Sequence, residues 1–119
     1  MTTSERRTSP RFLLTTPVRV EFGSAIQRYQ TINVSRGGVF IECPRPLSLG
    51  TEVLVRFEVP DAGKVNAYGV VRHRNPLVVA EPGQPERRVP GMGIMFTRIE
   101  GDGAQRLIEF IQKLSTPAP

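Results

Sequence analysis

Apolar residues recur at every second position along most of this chain, the period of a strand with one face on a core and the other toward solvent. Val18, Val20 and Phe22 alternate with Arg19 and Glu21 and predict a first strand. Tyr29 to Val34 predicts a second and Val39 to Glu42 a third. The segment TEVLVRFEVP, residues 51–60, alternates through Val53, Val55, Phe57 and Val59, and Pro60-Asp61-Ala62-Gly63 reads as a turn. Val65, Ala67, Gly69, Val71 and His73 then alternate in turn, so these two strands are expected to pair as a hairpin. Residues 75–90, NPLVVAEPGQPERRVP, hold four prolines and a glycine and read as a long exposed excursion with a brief strand at Leu77–Val79. Gly91 to Phe96 resumes an apolar strand.

The period changes near the end. Ala104, Leu107, Ile108, Ile111 and Leu114 fall at helical spacing, and Asp102 followed three residues later by Gln105 resembles a capping box. A C-terminal helix over about residues 102–115 follows. Strands at roughly ten-residue intervals without helices between them argue for a mainly β fold, a closed or nearly closed antiparallel barrel with this helix on one face. Residues 1–11 are polar and basic without periodicity and read as a flexible N-terminal arm. Residues 12–115 form the single domain that a chain of 119 residues can support around one core.

Composition narrows the function. There is one cysteine, Cys43, and one histidine, His73, so neither an internal disulfide nor a Cys/His metal cluster is expected. Cys43 reads as an inert structural thiol and His73 as a half-exposed strand residue. The chain has no G-x-S-x-G and no P-loop, and Glu42, Glu52, Glu58 and Asp61 show no paired spacing; catalytic residues are not expected, and the protein reads as no enzyme. Neither a long apolar run nor a leader-like N-terminus is present, which predicts a cytoplasmic protein without membrane insertion. The net charge is +5, and fourteen of the sixteen cationic residues are arginine, whose planar fork grips phosphate at two points and stacks on flat rings. An anionic partner fits that bias, as does a merely solvated basic surface.

Two motifs carry the rest. The stretch NVSRGGVF, residues 33–40, places Asn33, Ser35, Gly37 and Gly38 between two apolar strands. On its own this is sound turn chemistry, with Asn and Ser folding onto the backbone and Gly free to take positive φ. The stretch ERRTSPRF places Arg7 and Arg11 four apart with Arg6 just before them, and Pro10 argues for an extended arm rather than a helix.

Taken together, R-x-x-x-R at 7–11 followed by N-x-S-x-x-G at 33–38, on this strand layout and with a final helix, resembles the PilZ domain over nearly the whole chain. That resemblance implies a small six-stranded antiparallel PilZ-type β-barrel that receives the bacterial second messenger cyclic di-GMP. It implies Arg7 and Arg11 on phosphates and guanine edges, Asn33 and Ser35 on a guanine edge, and Gly38 allowing close approach. Arg6 would meet a second, intercalated ligand or remain a solvated charge. The family fills the first motif position with Asp or Asn, and Asn33 leaves the site without that carboxylate. The chain ends at LSTPAP soon after the helix and reads as a stand-alone adaptor that changes its surface for an unidentified protein effector in motility, pili, exopolysaccharide or biofilm control. No cofactor is expected beyond the ligand. Two other readings stay open: a PilZ-like protein-interaction module that binds no nucleotide, and an OB-like barrel on single-stranded nucleic acid. The scarcity of outward aromatics weakens the second, so no nucleic acid polymer is expected as a partner.

Overall fold

The structure, a computed structural model, describes residues 10–115. Nine strands precede one helix: β1 (Phe12–Leu13), β2 (Pro17–Phe22), β3 (Ala25–Val34), β4 (Gly38–Glu42), β5 (Glu52–Val59), β6 (Gly63–His73), β7 (Leu77–Val79), β8 (Arg87–Val89), β9 (Gly91–Ile99) and α1 (Gly103–Ser115). Six of them close a barrel in the order β3-β2-β5-β6-β9-β4, with β4 returning to β3, and every pairing is antiparallel. The extra strand β1 continues the line of β2 along β3, and β7 and β8 form a separate hairpin.

Inward residues follow from the alternation. Val18 and Val20, Val53, Val55, Phe57 and Val59, Val65, Ala67 and Val71, and Met92 and Ile94 share one core, to which α1 adds Leu107, Phe110 and Ile111. The helical face differs from the expected one: Phe110 takes an inward place, whereas Leu114 is exposed. The Asp102 carbonyl accepts the first intrahelical bond, from Arg106 N–H at 3.0 Å. Gln105 does not reach back to complete a capping box but donates forward to Glu109 at 3.3 Å, the i,i+4 geometry that a helix surface favours.

Three elements escaped the alternation. β3 begins four residues before Tyr29, because Gly23 at φ +57° opens a two-residue turn that lets the polar stretch AIQR pair with β2. β1 is too short to show a period. The partner of the brief strand at Leu77–Val79 is β8, a basic segment, RRV, with no alternation to read.

The break between β1 and β2 is held by one buried hydroxyl. Thr31 Oγ1 donates to the Leu14 carbonyl and accepts from Thr16 N–H at 3.0 Å, while Thr31 N–H bonds the Thr16 carbonyl at 2.9 Å. Thr31 is fully buried, so Thr31→Val keeps the shape and strands both partners. A loss of about 1–3 kcal/mol is expected, read as a lower urea midpoint at unchanged m-value.

Candidate functional site

A second irregularity in β3 builds the site. Its pairing with β4 runs Gln30↔Glu42 and Thr31↔Ile41, then shifts to Asn33↔Phe40 and Val34↔Val39. One extra residue in β3 reverses the parity of everything after it. Thr31 and Val34 both turn inward as a result, and Asn33 emerges on the outer surface beside Phe40. The next neighbours across the sheet are Gly93, paired with Phe40, and His73, paired with Gly93.

Arg11 reaches this row from the start of β1. Its Nη1 donates to Asn33 Oδ1 at 2.9 Å, joining two motifs 22 residues apart in sequence. β1 sets that approach by pairing Phe12 with Val34 and Leu13 with Asn33. Asn33 is itself buried, and because the guanidinium takes Oδ1, Nδ2 is the amide group left to meet an acceptor edge such as the O6 and N7 of guanine. Arg11 is exposed, and its bonded partner is a neutral amide, so the asparagine leaves the arginine's charge uncancelled for an anion.

The loop that follows is tied by its own atoms. Ser35 N–H donates to the Gly38 carbonyl at 2.9 Å, Gly37 N–H donates to Ser35 Oγ at 3.2 Å, and Phe96 N–H donates to the Gly37 carbonyl at 2.8 Å. Ser35 is buried and its hydroxyl therefore shapes the turn. Neither Gly37 nor Gly38 takes a positive φ, so conformational freedom does not explain the glycine pair. At Gly38 the reason is proximity: a Cβ there would lie 2.2 Å from the Ile94 carbonyl oxygen of β9. Arg36, exposed at the loop tip, makes no hydrogen bond or ion pair among the described residues.

Of the residues expected from sequence, Arg11, Asn33, Ser35 and Gly38 meet at one end of β3 and β4; Arg6 and Arg7 lie outside the described residues. Sequence reading passed over Phe40 and His73. Phe40 is buried yet belongs to no part of the barrel core, and its ring stacks on His73 with centroids 6.2 Å apart and planes 25° apart. The signal was present in VFI: with Val39 and Ile41 facing in, Phe40 has to face out. His73 can lie flat on β9 only because Gly93 has no side chain, since a Cβ would come within 2.3 Å of the ring.

Burial, then the charges of Arg11 and Arg72, hold the His73 imidazole below its ordinary value of 6.5. Two guanidinium charges thus converge on one stretch of outer wall. The native state disfavours the imidazolium, so unfolding takes up a proton once pH falls below 6.5. Stability is therefore expected to be full above that value and to fall on acidification toward the lowered native pKa. Thermal midpoints measured across that range should show the slope, and His73→Gln should flatten it. Cys43 is buried and its thiol pushed up chiefly by that burial, in keeping with a structural role.

Comparison with known proteins places this arrangement in a family. The PilZ domain model matches residues 5–113, and the chain belongs to the PilZ domain family. Among solved structures it is similar to the PilZ domain with c-di-GMP of YcgR from Escherichia coli, with a TM-score of 0.70 at 13% identity, covering 92% of each chain. It is also similar to the inhibitor of motility MotI/DgrA of Bacillus subtilis, with a TM-score of 0.68 at 18% identity, covering 94% of this chain and 53% of that one. The MrkH–c-di-GMP complex of K. pneumonia gives a TM-score of 0.68 at 18% identity, over 92% of this chain and 52% of that one. The chain thus spans about half the length of the latter two. No curated protein matches it by sequence. No helix among the described residues is long and apolar enough to cross a membrane.

Proposed function

We propose that this chain is a cytoplasmic receptor for cyclic di-GMP, which binds on the outer wall of the barrel between Arg11 and the NVSRGG loop. The observation that carries the reading is the Arg11–Asn33 hydrogen bond at 2.9 Å, which joins the two halves of the family's motif and sets an exposed guanidinium charge beside the buried Asn33 amide. The ligand's two phosphodiesters match converging arginines, and its guanines match the amide donor. The likeness to PilZ structures solved with c-di-GMP supports the same ligand.

In this reading Arg7 joins Arg11 on the ligand and the segment before Arg11 closes over it. Arg6 meets a second stacked ligand. Closing that segment changes the surface offered to a protein effector, which makes the domain an adaptor for motility, pili, exopolysaccharide or biofilm control. Ligand at one hundred times its dissociation constant stabilises the native state by about 2.7 kcal/mol. A clear rise in thermal midpoint with cyclic di-GMP, and none with GTP, is the expected result. An unchanged midpoint would indicate a PilZ-like module that works through protein contacts alone.

A further inference from the structure

The outer wall on the other side of the barrel carries a row of arginines that the nucleotide site does not use. Register places Arg28 of β3 opposite Arg19 of β2, and Arg19 opposite Arg56 of β5. Arg28 is five residues from Asn33 along β3, about 16 Å at the rise of a strand, and on the far side of the bulge. Like charges directly opposite one another destabilise a sheet, so three in a line call for an explanation.

The charge around them is only partly answered. Glu21 Oε2 accepts from both Arg19 Nε at 2.9 Å and Arg56 Nε at 2.8 Å, and this double pairing holds the carboxyl below its ordinary value. Arg28 is exposed and has no hydrogen bond or ion pair among the described residues. Lys64 adds a fourth cation on β6, where register sets it opposite Glu58, yet no ion pair joins them. Arg19, Arg28, Arg56 and Lys64, with Glu58 among them, line a shallow groove of about 490 Å³ running across β3, β2, β5 and β6. Four strands span about 14 Å from first to last, which is the reach of a few residues of extended peptide.

We propose that this groove binds an extended acidic segment of a partner protein, with carboxylates on alternate residues meeting Arg28, Arg19 and Arg56. A carboxylate suits the forked guanidinium, and Glu21 already shows the geometry by joining two of the three. Nucleic acid fits less well: the groove's only aromatic, Phe57, is buried in the core and offers no base a stacking surface. The site is separate from the nucleotide reading and does not depend on it.

A fluorescently labelled peptide alternating Glu and Ser, titrated with the whole protein and followed by anisotropy, tests the assignment. Binding is expected at low salt and should weaken as salt is raised. Arg28→Glu should lower affinity about tenfold or more, while Lys113→Glu, on the last turn of α1, should leave it unchanged and serve as the control for net charge. Arg28 has no partner to lose, and an unaltered thermal midpoint would show that Arg28→Glu keeps the fold. Cyclic di-GMP binding should be the same in wild type and Arg28→Glu, which separates this test from that of the nucleotide site. The proposal is overturned if the peptide does not bind, if Arg28→Glu binds it as wild type does, or if Lys113→Glu is equally damaging. It is also overturned if a DNA duplex or inorganic phosphate binds in an Arg28-dependent manner more tightly than the peptide.

Discussion

Arg11→Ala is expected to weaken cyclic di-GMP binding at least tenfold, about 1.4 kcal/mol or more, while leaving the barrel folded. The side chain is exposed and contributes nothing to the core, so its removal costs little apart from its bond to Asn33. Two losses combine in the ligand's affinity. One is a charge-assisted contact to phosphate or guanine, worth roughly 1.5–3 kcal/mol. The other is orientation, because the guanidinium is the group that bonds the Asn33 amide oxygen and so fixes the amide. A double-mutant cycle with Asn33→Ala separates the two: the double variant should lose clearly less than the sum of the single losses, as residues in direct contact do. Strict additivity, measured by calorimetry, would mean that the two residues do not act on the ligand as a pair.

Gly38→Ala is expected to cost the barrel a large part of its stability. The atom that a Cβ would meet, at 2.2 Å, is the backbone oxygen of Ile94, which cannot rotate away as a side chain could. Strand β4 would have to withdraw from β9, against the pairing Gly38↔Met95 and Val39↔Ile94. Overpacking of this kind costs about 1–3 kcal/mol, visible as a lower denaturation midpoint. Affinity for cyclic di-GMP should fall with it, since the loop from Ser35 to Gly38 is anchored through that strand. Gly37→Ala is the contrast: exposed and without a positive φ, Gly37 should accept a methyl with little change in stability. Equal tolerance at both positions would show that β4 and β9 are not held as close as the structure has them.

What could be read from the sequence follows from where physical pattern is strong. The period of two in β2 and β5 set the inward residues correctly, because each has one face in a single core, whereas in β6 it held only as far as Val71: a register shift between Val71 and His73 turns the histidine outward. The closing helix was visible from its change of period, although Phe110 rather than Leu114 completes its buried face. The two motifs were visible as clusters of polar residues and arginines. Their meeting was implied by the family resemblance alone and not by any period, because it depends on a one-residue bulge near Ile32 and on the two-residue strand β1, neither of which leaves a periodic trace. Nor could spacing alone explain Gly38, whose requirement comes from a strand more than fifty residues later in the chain. The arginine row was hidden for a similar reason: Arg19, Arg28 and Arg56 are each an ordinary polar position in its own strand, and only register lines them up.

The measurement that bears most directly on the account is a calorimetric titration of the protein with cyclic di-GMP, with GTP as the control and Arg7→Ala and Arg11→Ala as variants. Saturable binding at micromolar or tighter affinity, lost in both variants, is the predicted result, and two ligands per chain would give Arg6 its proposed place. No heat at high ligand concentration, or binding that survives both substitutions, would contradict a nucleotide site built on the Arg11–Asn33 pair.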